Sequence, residues 1–93
     1  MTVTRVHLLI TGRVQGVYFR HHTMEKAVEL ELKGWVRNRM DGKVEAVFEG
    51  DPAKVIEMIH WCQTGPTHAN VTDVQEAWEE PVEENGPFRI KYD

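Results

Sequence analysis

Cysteine is almost absent from the sequence, with one among 93 residues. A single thiol excludes an internal disulfide and any zinc site built from several cysteines. Cys62 stands in the apolar stretch VIEMIHWCQ, where residues recur at helical spacing. We therefore expect a buried, inert thiol rather than a reactive one.

Long apolar runs are also missing. A transmembrane helix needs about 18 consecutive apolar residues, and none occurs here. The N-terminal stretch MTVTRVHLLITGR has a short apolar part and no small-residue cleavage site, so we expect no signal peptide. A chain of 93 residues can build one core and has no room for a second. We expect a single cytoplasmic domain over residues 1–93, with no membrane partner.

The net charge of -4 conceals two unlike halves. Residues 1–43 carry eight Lys and Arg against four Asp and Glu, which gives +4, whereas residues 44–93 carry three against eleven, which gives -8. The acidic total argues against broad nucleic-acid binding. The basic half can still present a local site for an anion.

Apolar spacing and turn residues predict an alternation of strands and helices. VTRVHLLITGR alternates like a strand, and the segment from about His21 to Leu32 has helical spacing with Gly34 as a plausible stop. Asp41-Gly42 between WVRNRM and KVEAVFEG predicts a β-hairpin. Asp51-Pro52 supplies the N-cap and first-turn proline of a second helix.

The last third of the sequence predicts two further strands and a loop. Val71 and Val74 of VTDVQEAWEE cannot share one face of a regular strand, so we expect a bulge near Asp73. The acidic EEPVEENGP is expected to be a solvated loop, and alternation predicts a short final strand that includes Ile90. The order predicts an α+β fold: a ferredoxin-like βαββαβ sandwich, an antiparallel sheet with two helices on one face and a short extra C-terminal strand.

The stretch GRVQGVYFRHH is the strongest chemical signal in the sequence. A turn from strand to helix aims backbone N–H groups and the positive end of the helix dipole at one point. Gly16 permits close approach of the backbone, and Arg20 adds a planar cation suited to phosphate oxygens. The spacing differs from a Walker loop. The stretch is either a phosphate or carboxylate cradle, or a tight turn with Arg20 along the surface.

Asn38 lies inside a predicted strand, between Arg37 and Arg39. Asparagine is a poor strand former, so it needs either solvent or a hydrogen-bonding role. We expect the two strands that flank the first helix to lie side by side, which would bring Asn38 near the loop after the first strand.

GRVQGVYFR, GWVRNRMDGKVEAVFEG and GPTHANV, at these spacings, resemble the acylphosphatase family from about Val6 to Ile90. The resemblance implies hydrolysis of the carboxyl-phosphate bond of acyl phosphates without a metal ion. We expect a monomer with no cofactor. The resemblance assigns water orientation to Asn38 and phosphoryl binding to the Arg20 side chain. It assigns the phosphate cradle to six backbone amides: Gln15, Gly16, Val17, Tyr18, Phe19 and Arg20.

Three features leave questions open beside this resemblance. Glu31 stands where the family usually has glycine, so the first helix either ends there with a left-handed residue or runs on to Gly34. Asn70 stands where basic residues are frequent, at the substrate rim. His21 and His22 can tune the anion site, but adjacent helical residues point about 100° apart, so both cannot face the phosphate.

The alternative function is a non-catalytic ferredoxin-like module that holds a phosphorylated ligand or RNA. An RNA-binding sheet of this fold displays aromatic side chains and positive charge on its central strands. HLLIT and VEAVFEG provide little of either. No nucleic-acid partner is therefore expected, and the acyl phosphate is the expected small-molecule partner.

Overall fold

The computed structural model describes residues 2–92 and contains, over that range, five strands and two helices. They follow the order β1 (Thr4–Arg13), α1 (Phe19–Glu29), β2 (Lys33–Asn38), β3 (Val44–Gly50), α2 (Pro52–Thr64), β4 (Asn70–Glu79) and β5 (Arg89–Lys91). The predicted ferredoxin-like order with a short additional strand is confirmed.

The sheet has the strand order β4-β1-β3-β2-β5. Neighbouring strands pair antiparallel, except that the short β5 pairs parallel with β2. The expectation that β1 and β2 lie side by side is wrong, because β3 separates them. The hairpin folds β3 back along β2, and the other edge of β3 is then taken by β1.

One apolar core lies between the sheet and the two helices. Val6, Leu8 and Ile10 of β1 are fully buried, as alternation predicted. Cys62 of α2 is also fully buried, and burial raises the pKa of its thiol far above the ordinary value, so the expectation of an inert thiol is supported. The core holds the sheet and the helices together and thereby fixes the loops between them.

The predicted bulge is present in β4. Thr11 pairs with Asp73 but Gly12 pairs with Val71, so Thr72 is the extra residue. The shift lets Val71 and Val74 both pack against the core. Gly12 adopts φ 131, and a Cβ there would collide with the carbonyl oxygen of Asn70, so the bulge and the glycine depend on each other.

Helix α1 begins two residues before the predicted start and ends three residues before the predicted end. The N–H of Leu32 donates to the carbonyl of Ala27 at 2.9 Å, and that of Glu31 donates to Val28 at 3.0 Å. These are the two bonds of a Schellman motif, and Glu31 is left-handed at φ 59. Of the two alternatives, the helix therefore ends at a left-handed Glu31 and does not continue to Gly34.

The acidic loop after β4 is anchored rather than freely solvated. The Glu49 carboxylate on β3 accepts hydrogen bonds from the N–H groups of Val82 and Glu84, both at 2.9 Å. Arg5 on β1 contacts Glu49, Glu79 and Glu84. The anchoring of this loop could not be predicted from composition, because a run of glutamates is typical of a solvated loop unless its cationic partner is known.

Candidate active site

The loop between β1 and α1 has a backbone suited to surrounding an anion. Gly16 and Tyr18 are both left-handed, with φ 76 and φ 60. Left-handed residues next to ordinary ones turn successive N–H groups toward one side and form a concave nest. Tyr18 is also the N-cap of α1, and its side chain makes no capping hydrogen bond. The backbone strain of this left-handed tyrosine thus lies at the N-terminus of α1.

The amides of this loop have no backbone acceptor within residues 2–92. His22 is the first residue of α1 whose N–H donates back to the chain, to the Tyr18 carbonyl at 3.1 Å. The N–H groups of Gln15 through Arg20 make no such bond. A helix start with unpaired N–H groups and no side-chain cap carries partial positive charge. The loop can therefore accept an anionic group.

The Gln15 side chain holds the loop in place. Its Nε2 donates to the carbonyl of Arg39 at 2.7 Å and to that of Lys43 at 2.9 Å. These carbonyls belong to the turn between β2 and β3. The loop after β1 is thus fastened to the hairpin that carries Asn38, although β1 and β2 are not neighbours.

Arg20 has no carboxylate partner among residues 2–92. Its guanidinium lies 5.2 Å from the centre of the Tyr92 ring, which follows β5. Most arginine side chains of this chain are ion-paired, for example Arg5 and Arg37. A positive charge that faces an aromatic ring and no carboxylate is free to pair with a ligand.

Asn38 is the last residue of β2, and its Oδ1 atom is buried without a hydrogen-bond partner in the described part of the chain. Leaving such an acceptor unpaired costs free energy, so this position normally implies a partner such as a bound water. The sequence identified the residue, whereas the buried, unpaired oxygen is visible only in the fold.

A cavity of about 560 Å³ brings the predicted side chains together. Its lining residues share one edge of the fold, where β1, α1, β2 and β5 meet; they are Val14, Gly16, Tyr18, Phe19, Arg20, His21, Asn38, Ile90 and Tyr92. The volume is typical of small-molecule sites. Two predicted cradle residues do not line it: the Gln15 side chain turns to the hairpin, and Val17 is buried beside a neighbouring groove.

The two adjacent histidines separate as helical geometry requires. His21 lines the cavity, whereas His22 lies in the neighbouring groove with Trp61 and His68. His22 Nδ1 is 3.0 Å from a carboxylate oxygen of Glu25, and His21 Nε2 is 3.6 Å from the other. Sequence reasoning did not find Tyr92 and Ile90 as lining residues, because nothing local shows that β5 pairs with β2.

Over residues 2–92, no cluster of three or more His, Cys, Asp or Glu side chains is arranged to hold a metal ion. In the same range, no helix has the length and apolar character needed to cross a membrane.

Comparison with known proteins gives one consistent result. The acylphosphatase family model matches residues 6–90. Acylphosphatase of Chloroflexus aurantiacus is 51% identical over 90 residues, which are 97% of this chain and 98% of that protein. The crystal structure of acylphosphatase from Bacillus subtilis superposes with a TM-score of 0.92 at 32% identity, covering 98% of this chain and 100% of that one. That from Coxiella burnetii has a TM-score of 0.89 at 37% identity, covering 96% and 93%. The chain is therefore an enzyme of the acylphosphatase family.

Proposed function

We propose that this enzyme hydrolyses acyl phosphates to a carboxylate and inorganic phosphate, with Arg20 and Asn38 as its catalytic side chains. The observation that carries the assignment is that one cavity is lined by Arg20, which has no carboxylate partner among residues 2–92, and by Asn38, whose Oδ1 has no hydrogen-bond partner in the same range. The first suits a phosphoryl group and the second suits a water.

The phosphoryl group binds in the nest before α1. The amides from Gln15 to Arg20 are assigned as its donors, with the Arg20 guanidinium as a planar second contact. Phosphoryl transfer has a loose transition state with charge on the equatorial oxygens, so fixed donors at these oxygens supply most of the catalysis. No metal ion is needed in this scheme.

Asn38 orients the attacking water. Its buried Oδ1 accepts one O–H of the water, which aims an oxygen lone pair at phosphorus. The water oxygen bonds to phosphorus as the bond from phosphorus to the acyl oxygen breaks, and the carboxylate leaves with that electron pair. The described lining residues include no carboxylate base, so we assign the water's proton to an oxygen of the substrate phosphate.

Arginine and asparagine variants test the assignment. Arg20→Ala should lower kcat/KM for benzoyl phosphate by about 10²–10³-fold or more, since it removes a transition-state donor. Arg20→Lys should restore little, because a point charge lacks the planar fork. Asn38→Ala should lower kcat while leaving the inhibition constant for inorganic phosphate unchanged, because Asn38 holds water rather than phosphate.

The assay contains a chelator, and Arg89→Ala serves as the control. Arg89 is half-exposed on β5 and does not line the cavity, so its removal should leave activity unchanged. Wild-type turnover that disappears with the chelator would contradict the metal-independent scheme. Full activity in Arg20→Ala would overturn the assignment of the site.

The alternative of an RNA-binding module finds little support in the described sheet. On β3, Glu45 and Glu49 fill the face away from the helices and pair with Arg37 and Arg5. An RNA-binding sheet would present stacking aromatics and free cations at such central positions.

A further inference from the structure

The cavity, of roughly 560 Å³, is larger than a phosphoryl group requires. The proposed mechanism uses the loop before α1, Arg20 and Asn38. The lining side chains that it leaves unassigned are Val14, His21, Ile90 and Tyr92, of which His21 alone offers a ring nitrogen. The acyl part of a substrate must lie in this space, because the phosphate occupies the nest.

The charges around this space favour an anion. Among the described lining residues, Arg20 and His21 can be cationic and none is acidic. Arg20 is committed to the phosphoryl group in the proposed mechanism. Among the described lining residues, His21 is then the one further side chain that can carry a positive charge.

The neighbours of His21 do not cancel that charge. On α1, Glu25 is 3.6 Å from His21 Nε2, but its other oxygen is closer to His22 Nδ1, at 3.0 Å. One carboxylate is therefore shared between two imidazoles, whose rings lie 5.6 Å apart. Arg20 and Tyr92 line the same cavity as His21, and neither side chain is a carboxylate. Glu25 therefore offsets the charge of His21 only in part.

We propose that His21 is a specificity-determining residue that contacts an anionic group on the acyl portion of the substrate. The preferred substrates are then acyl phosphates that carry a second anion, such as a carboxylate, on an extended or flat acyl group. This inference rests on the proposed function, since it assigns the part of the same cavity that the phosphoryl group leaves free.

The test compares two substrates of one shape. 3-Carboxybenzoyl phosphate carries the second anion, and 3-carbamoylbenzoyl phosphate is its neutral analogue. Because the two substrates differ in leaving group in the same way for every enzyme variant, comparing the ratio of their kcat/KM values between variants cancels that difference. His21→Gln should lower this ratio about 2–5-fold at pH 6, the size expected for a partly exposed ion pair.

His22→Gln is the matched control, because His22 is the adjacent imidazole, contacts the same Glu25 and lies outside the cavity. It should keep the wild-type ratio. Both histidine side chains are about half-exposed, so neither change should disturb folding, which a thermal melt checks. Equal ratios in wild type and His21→Gln, or the same loss in His22→Gln, would overturn the proposal. If wild type cleaves neither substrate nor benzoyl phosphate, the proposed function itself fails, which is a different result.

Discussion

At the scale of single residues, the Gln15 side chain contributes to the site by holding the backbone of the β1–α1 loop against the β2–β3 turn. Gln15 was assigned by resemblance for its backbone amide, yet the structure shows its side chain joining two carbonyl groups of the β2–β3 turn. These bonds set the separation between the nest and Asn38. Gln15 is therefore a positioning residue for the proposed reaction.

Gln15→Ala should lower both stability and turnover. The loss of two partly buried hydrogen bonds is worth about 1–3 kcal/mol, and kcat should fall while Asn38 and Arg20 remain present. Gln15→Glu should be worse, because its carboxylate would face two carbonyl oxygens. Urea unfolding and kcat for benzoyl phosphate measure the two effects. Gln63→Ala on the exposed side of α2 is the control, and a Gln15→Ala enzyme that loses stability but no kcat would contradict the positioning role.

Residue types and spacings made Arg20 and Asn38 candidates, and the resemblance to the acylphosphatase family then assigned their roles. Their environment could not be predicted in the same way. The ring of Tyr92 lies beside the Arg20 guanidinium although the two residues are far apart in the sequence, and the Oδ1 of Asn38 is buried by the fold as a whole. Periodicity carries no information about such contacts.

At the scale of elements, the end of α1 illustrates how local signals compete. Apolar spacing continues to Leu32, but the Schellman bonds end the helix at Glu29. Glu31 then occupies a conformation that glycine adopts without strain. Its carboxylate lies 2.8 Å from Lys54 Nζ on α2, and this exposed contact lowers the pKa of Glu31. The left-handed position thus combines backbone strain with a weak link between the helices.

Glu31→Gly should stabilise the domain. Glycine removes the left-handed strain, and for a domain of this size we expect Tm to rise by roughly 4–8 °C. The loss of a solvent-exposed ion pair offsets little of this. Glu31→Ala removes the carboxylate but retains the strain, so its Tm should stay at or below that of wild type. Differential scanning calorimetry distinguishes them, and a lower Tm in Glu31→Gly would show that the contact with Lys54 outweighs the strain.

At the scale of the whole molecule, an ion-pair layer covers the face of the sheet that the helices leave open. Burial raises the pKa of Glu49, but the two N–H groups of the acidic loop and Arg5 outweigh this and hold it below the usual 4.5. Burial also raises the pKa of Glu45. Arg37 and His7 outweigh this effect, so the pKa of Glu45 is lowered as well. The α+β order and the hairpin could be predicted, but this layer could not, because its partners come from four strands, β1 to β4, and from the loop after β4.

A lowered pKa in the folded state determines the direction of the pH dependence. The folded protein binds the proton on Glu49 less readily than the unfolded chain, so the stabilisation is present above about pH 4.5 and is lost as pH falls through the folded pKa. Glu49→Gln should therefore be less stable at pH 7 and should lose less on acidification to pH 3. Urea midpoints at both pH values measure this, with exposed Glu76→Gln as the control. If the urea midpoint of Glu49→Gln fell as much between pH 7 and pH 3 as that of wild type, the assignment of this pH dependence to Glu49 would be wrong.

The position of β4 beside β1 has a kinetic consequence. Arg5 lies opposite Glu79, so this pairing closes a loop that includes most of the chain. Loop closure costs entropy before the contacts repay it, and domains rich in such contacts fold slowly for their size. Because β3 lies between β1 and β2, a sheet that lacks β3 cannot hold Arg20 and Asn38 in one cavity. Catalytic competence during refolding therefore requires β3 to be paired with both neighbours, whereas β4, which does not line the cavity, can join later.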